Sequence, residues 1–80
     1  MATAEGWSVV DDALEREFRF ADFRAAIDFV NRVAEVAEEE NHHPDITISY
    51  NRVTVRWSTH SAGGITARDA ELAQRTGDLG

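Results

Sequence analysis

Eighty residues with a formal net charge of −7 and no cysteine leave room for one small core. They supply neither a disulfide staple nor a thiol nucleophile. The acidic balance argues against nucleic acid or an anionic membrane as a partner, and since all eight basic residues are arginine, Schiff-base and P-loop lysine chemistry are excluded. No apolar run reaches transmembrane length and the first residues lack the basic and apolar regions of a signal peptide, so the expectation is a cytoplasmic protein that does not enter a membrane.

Residues 1–6 read as a flexible tail ahead of a single domain over 7–80. Trp7-Ser8-Val9-Val10 and Leu14 to Phe20 read as two strands around an Asp11-Asp12 turn. In the second strand Leu14, Phe18 and Phe20 share a face opposite Glu15, Glu17 and Arg19, with Arg16 interrupting the apolar side. Asp22 is placed to cap a helix in which Phe23, Ala26, Ile27, Val30, Val33, Ala34 and Ala37 recur at helical spacing. Phe29 and Val36 fall on one flank of that stripe, either widening the core contact or kept as a surface for another subunit. Ile46 to Tyr50 and Val53 to Trp57 alternate as a hairpin around Asn51-Arg52. A loop from Ser58 to Gly64 follows. A last helix opens at Thr66, with Asp69 as the second member of a capping box and Ile65 and Ala70 as a staple, and is expected to end at Gly77. The order β-β-α-β-β-α predicts an α+β domain, a four-stranded antiparallel sheet with helices packed on one face. A domain this small, with hairpin edges to cover, is expected to form a homodimer or homotetramer.

Function concentrates around three histidines, all within residues 42–60. His42 and His43 end the long helical segment just before Pro44, a position where helix capping by a basic side chain competes with a site. Glu38 lies at the edge of the apolar stripe, although as part of the Glu38-Glu39-Glu40 run it also reads as a solvated face. His43 precedes proline and is therefore extended, so the two imidazoles project differently. Adjacent histidines chelate one ion poorly, and neither His-Glu-x-x-His nor His-x-His spacing occurs, so no metal or other cofactor is expected. Trp7, Trp57 and Tyr50 read as core or pocket wall, not as a stacking platform for bases.

Taken together, Glu38, His42-His43-Pro44, Tyr50, His60 and Asp69 at their successive spacings resemble the signature of the pterin-4a-carbinolamine dehydratases. The similarity continues through Asn41-His42-His43-Pro44-Asp45, Tyr50-Asn51-Arg52-Val53 and Ser58-Thr59-His60-Ser61-Ala62-Gly63-Gly64, and covers nearly the whole chain from Trp7. Two departures stand out: only six residues precede Trp7 where family members commonly have a helix, and Ile46 stands where many relatives carry an aromatic residue. The resemblance implies dehydration of a 4a-hydroxytetrahydropterin to the quinonoid dihydropterin, in tetrahydrobiopterin recycling after an aromatic amino-acid hydroxylase. It implies His42 and His60 as acid–base groups and His43 as support for a second orientation of the hydroxyl. Glu38 and Asp69 would orient the imidazoles, and Asn41, Pro44 and Ser58, Thr59 and Ser61 would contact the pterin beside the histidines. The alternative is a protein-binding module of the same fold, acting as a coactivator or assembly factor.

Overall fold

The computed structural model describes residues 6–80, so the tail expected over 1–6 falls almost wholly outside the described residues. Strand β1 (Ser8–Val10) turns into β2 (Ala13–Arg19) through Asp11 and Asp12, both at positive φ. That is the backbone of a two-residue type I′ hairpin, whose twist matches that of its strands. Helix α1 (Phe23–Glu40) follows, then β3 (Asp45–Ser49), β4 (Arg52–Trp57) and α2 (Ala67–Leu79). The strands form one antiparallel sheet in the order β1-β2-β4-β3. The expected α+β architecture is therefore the observed one.

Pairing of β2 with β4 sets Leu14 against Trp57 and Phe18 against Val53. These side chains join Phe29 and Val33 of α1 and Leu72 and Ala73 of α2 in one core. The other face of the sheet is polar, with Arg56 donating to Glu15 at 2.8 Å. Arg16, which interrupts the apolar side of β2, lays its guanidinium over the Phe18 ring 4.5 Å from the centroid. A long side chain can cover an aromatic face in this way while its charge stays near water.

Asp22 caps α1 as expected, accepting the Ala25 amide at 2.8 Å. The helix is rotated from the face that periodicity alone selects. Phe29 and Val36 lie in the core, whereas Phe23 is 51% exposed and Ala34 is exposed. Aromatic packing explains the rotation, since Phe29 meets Phe18 at 4.6 Å and Phe20 at 5.0 Å between centroids. Phe29 and Val36 thus widen the core contact and are not a surface for another subunit.

The β3–β4 turn and the end of α2 also differ from expectation. The β3–β4 turn is Tyr50-Asn51, with Tyr50 in the left-handed region, because Asn51 is held by a mutual contact with Phe20 through backbone and side chain. Gly77 does not end α2, which runs on to Leu79. A Cβ at Gly77 would stand 3.1 Å from the Arg16 guanidinium and 3.7 Å from the Trp7 indole nitrogen. This glycine serves close packing within the helix and not termination.

The rotation of α1 has a measurable consequence. Phe29→Ala should destabilise the domain by about 3–5 kcal/mol in urea unfolding. Phe23→Ala should cost under about 1 kcal/mol. The reverse order would restore the face read from periodicity.

Candidate active site

The end of α1 delivers the first histidine. Asn41 takes a left-handed conformation, its amide donating to Glu38 O, and the His42 amide donates to Ala37 O at 3.1 Å. This pair of bonds is a Schellman motif, which terminates the helix and fixes where the chain leaves it. His42 then lies parallel to Trp57, with ring centroids 5.8 Å apart and planes 7° from parallel. Trp57 is itself pinned, its indole N–H donating to Thr76 Oγ1 at 3.1 Å.

Opposite His42 stands Asp69, 0% exposed, with Oδ1 2.7 Å from His42 Nε2. Its Oδ2 accepts from Thr59 Oγ1 at 2.6 Å, from the Thr66 amide at 2.8 Å and from Thr66 Oγ1 at 3.2 Å. Burial alone would raise the pKa of this carboxyl. The hydrogen bonds from Thr59, His42 and the Thr66 amide, with the charge of His42, outweigh burial and hold Asp69 below its ordinary 3.8. An ionised Asp69 accepts only, so His42 carries its hydrogen on Nε2 and Nδ1 is the nitrogen left for chemistry.

His43, between the helix end and Pro44, meets a different carboxylate, Glu38, Nε2 to Oε2 at 2.5 Å. Both members of this second pair are exposed. The described residues therefore hold two carboxylate–imidazole dyads on neighbouring positions, one buried and one open to water.

His60 opens a short 3-10 turn, His60–Ala62, closed by Gly63 at a φ of 72°. It lines a cleft of about 310 Å³ with Ser58, Thr59, Gly63 and Gly64, Arg56 and Asp45 of the β3–β4 pair, and Asp11 and Asp12 of the first turn. Thr59 both lines this cleft and bonds Asp69, and so links the cleft to the buried dyad, whose own members do not line it.

Among the residues expected at the site, His42, Asp69 and Thr59 come together directly, Ser58 and His60 share the cleft, and Glu38 joins His43. Asn41 serves as the helix cap, Pro44 leads into β3, and Ser61 lies exposed in the 3-10 turn outside the cleft lining. Tyr50 stands in the turn just past the far end of β3, about 20 Å from Pro44 by strand rise. The sequence reading missed Asp11, Asp12, Asp45 and Arg56. Counting outward from an Asn51-Arg52 turn sets Asp45 against Ser58; only the observed Tyr50-Asn51 turn pairs it with Arg56, and nothing local marks Asp11 and Asp12. Among the described residues, no group of three or more His, Cys, Asp or Glu converges as metal ligands, and no helix is long and apolar enough to cross a membrane.

The family model described as Pterin 4 alpha carbinolamine dehydratase matches residues 1–79. A protein of Thermomicrobium roseum named "Putative pterin-4-alpha-carbinolamine dehydratase" is 58% identical over 74 residues, 92% of this chain and 80% of that one. A crystal structure from Brucella melitensis, titled as a transcriptional coactivator/pterin dehydratase, superposes with a TM-score of 0.89 at 38% identity, covering 95% of this chain and 83% of the other. A pterin dehydratase-like protein identified as a RuBisCO assembly factor of the alpha-carboxysome shares the fold, with a TM-score of 0.76 at 18% identity, over 98% of this chain and 89% of its own.

The depressed pKa of Asp69 makes stability depend on acid. Its ionisation stabilises the native state above the ordinary carboxylate value, and that contribution is lost as pH falls through the lower, folded value. In urea unfolding at a series of pH values, the advantage of wild type over Asp69→Asn should shrink as pH falls below about 4. A gap independent of pH would mean that the carboxylate is not held ionised.

Proposed function

The chain belongs to the pterin-4a-carbinolamine dehydratase family, and on that premise we propose that it removes water from a 4a-hydroxytetrahydropterin by histidine acid–base catalysis. The observation that carries this reading is the His42–Asp69 dyad, an imidazole held against a buried carboxylate that Thr59 links to a cleft containing a second histidine, His60.

The chemistry asks for little more. The lone pair of the pterin N5 forms a C4a–N5 double bond as the C4a–O bond breaks. One imidazolium gives its proton to the departing hydroxyl, which leaves as water. A neutral imidazole takes the N5 proton, so the protein ends with the protons it began with. His42 acts through Nδ1, since Nε2 is given to Asp69. His60 works from the cleft, and the exposed His43–Glu38 pair serves a hydroxyl presented from the other side. Asp45 and Arg56 offer a carboxylate and a guanidinium to the pterin's amino and oxo groups. An aromatic amino-acid hydroxylase is the reaction that would supply such a substrate.

Adding a synthetic carbinolamine and following quinonoid absorbance should give a rate above the uncatalysed one. His42→Ala and His60→Ala should each lower turnover at least about tenfold, the smaller end of what a general acid or base contributes, while cooperative unfolding is retained. A folded wild type that leaves the uncatalysed rate unchanged would favour a protein-binding role, of the kind named for the coactivator among its structural relatives.

The reading also includes self-association. Strands β1 and β3 are the sheet edges, and the apolar side chains of Val9, Ile48 and Phe23 are exposed. Light scattering at micromolar concentration should give at least twice the 8.9 kDa chain mass. A monomer mass with full activity would place the whole pocket within one subunit.

A further inference from the structure

We propose that Thr59 is a positioning residue, whose hydroxyl ties the loop carrying His60 to the carboxylate that orients His42. The inference rests on the dehydratase reading, and it gives Thr59 a different role from the substrate contact expected of it.

Every polar group of Thr59 is already engaged within the protein. Its amide donates to Gly64 O at 2.8 Å. Its carbonyl accepts from the amides of Ala62 at 3.0 Å and Gly64 at 3.2 Å. The hydroxyl's single proton goes to Asp69 Oδ2 at 2.6 Å, and its oxygen stands 3.1 Å from Thr66 Oγ1. No donor on this residue is left for a ligand, although the residue lines the cleft.

The backbone bonds and the hydroxyl bond point in complementary directions. The paired contacts between Thr59 and Gly64 close the loop around the 3-10 turn that begins at His60. The hydroxyl bond joins that closed loop to α2 and, through Asp69, to His42 on the segment after α1. One hydroxyl therefore connects the supports of both imidazoles. A misplacement of about an ångström between reacting groups can cost on the order of a hundredfold in rate, so this connection matters to chemistry more than to folding. The α2 capping box does not need it, because the Thr66 amide and hydroxyl still reach Asp69. His42 is the titratable side chain hydrogen-bonded to Asp69 among the described residues; its other partners are Thr59 and Thr66.

The test compares wild type, Thr59→Val and Thr59→Ser in the full chain, in two independent measurements. Carbon-detected NMR titration of the Asp69 carboxyl should show its pKa raised in Thr59→Val, since a hydrogen bond to the ionised form is lost, and restored in Thr59→Ser. With the synthetic carbinolamine, Thr59→Val should lose about ten- to a hundredfold in kcat with KM within about twofold, and Thr59→Ser should recover most of it. An unchanged Asp69 titration in Thr59→Val, or a loss confined to KM, would overturn the proposal and return Thr59 to substrate binding. Wild-type inactivity towards the carbinolamine would overturn the dehydratase reading itself, and the NMR titration separates that result from a failure of the Thr59–Asp69 tie.

Discussion

A carboxylate with no exposure to solvent is costly unless its oxygens are satisfied, and Asp69 draws its satisfaction from three separate parts of the chain. His42 follows the long helix, Thr59 follows the last strand, and Thr66 begins the second helix. Burying Asp69 therefore obliges these three segments to converge. The capping box of α2, elsewhere a local matter of four residues, becomes a tertiary junction. The sheet, the helices and the candidate site share one charged group as their meeting point.

Much of the fold was legible because its signals are local. Asp22 before an amphipathic run, Thr66 with Asp69 three residues later, and alternating strands around Asp11-Asp12 each specify an element from adjacent residues. What failed was decided at a distance. Helical periodicity cannot tell which of two apolar flanks meets the sheet, and Phe29 won that choice through Phe18 and Phe20 on β2 and just beyond it. Gly77 has the form of a helix stop, but its use depends on Arg16 and Trp7, sixty and more residues earlier in the chain. Tyr50 occupies a turn position that favours glycine or asparagine, because Asn51 is committed to Phe20.

The site divides in the same way. Glu38 and His43 flank one helix end, so their pairing follows from the Schellman turn between them. His42 and Asp69 are 27 residues apart, and only their place in a family pattern links them in the sequence. The acidic cleft was not foreseen, since Asp11 and Asp12 reach it by closing a hairpin that sequence alone reads as a simple turn.

The unequal burial of the two dyads has an evolutionary consequence. Selection for a folded protein is enough to retain Asp69, because its loss would open a hole in the junction of helices and sheet and leave donors unpaired. Glu38 and His43 stand in water and contribute little to stability, so drift can erase them without harming the fold. Of the two pairs, the exposed one is kept only by what it does. A lineage of this fold that has given up dehydration for another task would shed Glu38 and His43 first, and would go on carrying His42 and Asp69 as an inheritance of its architecture.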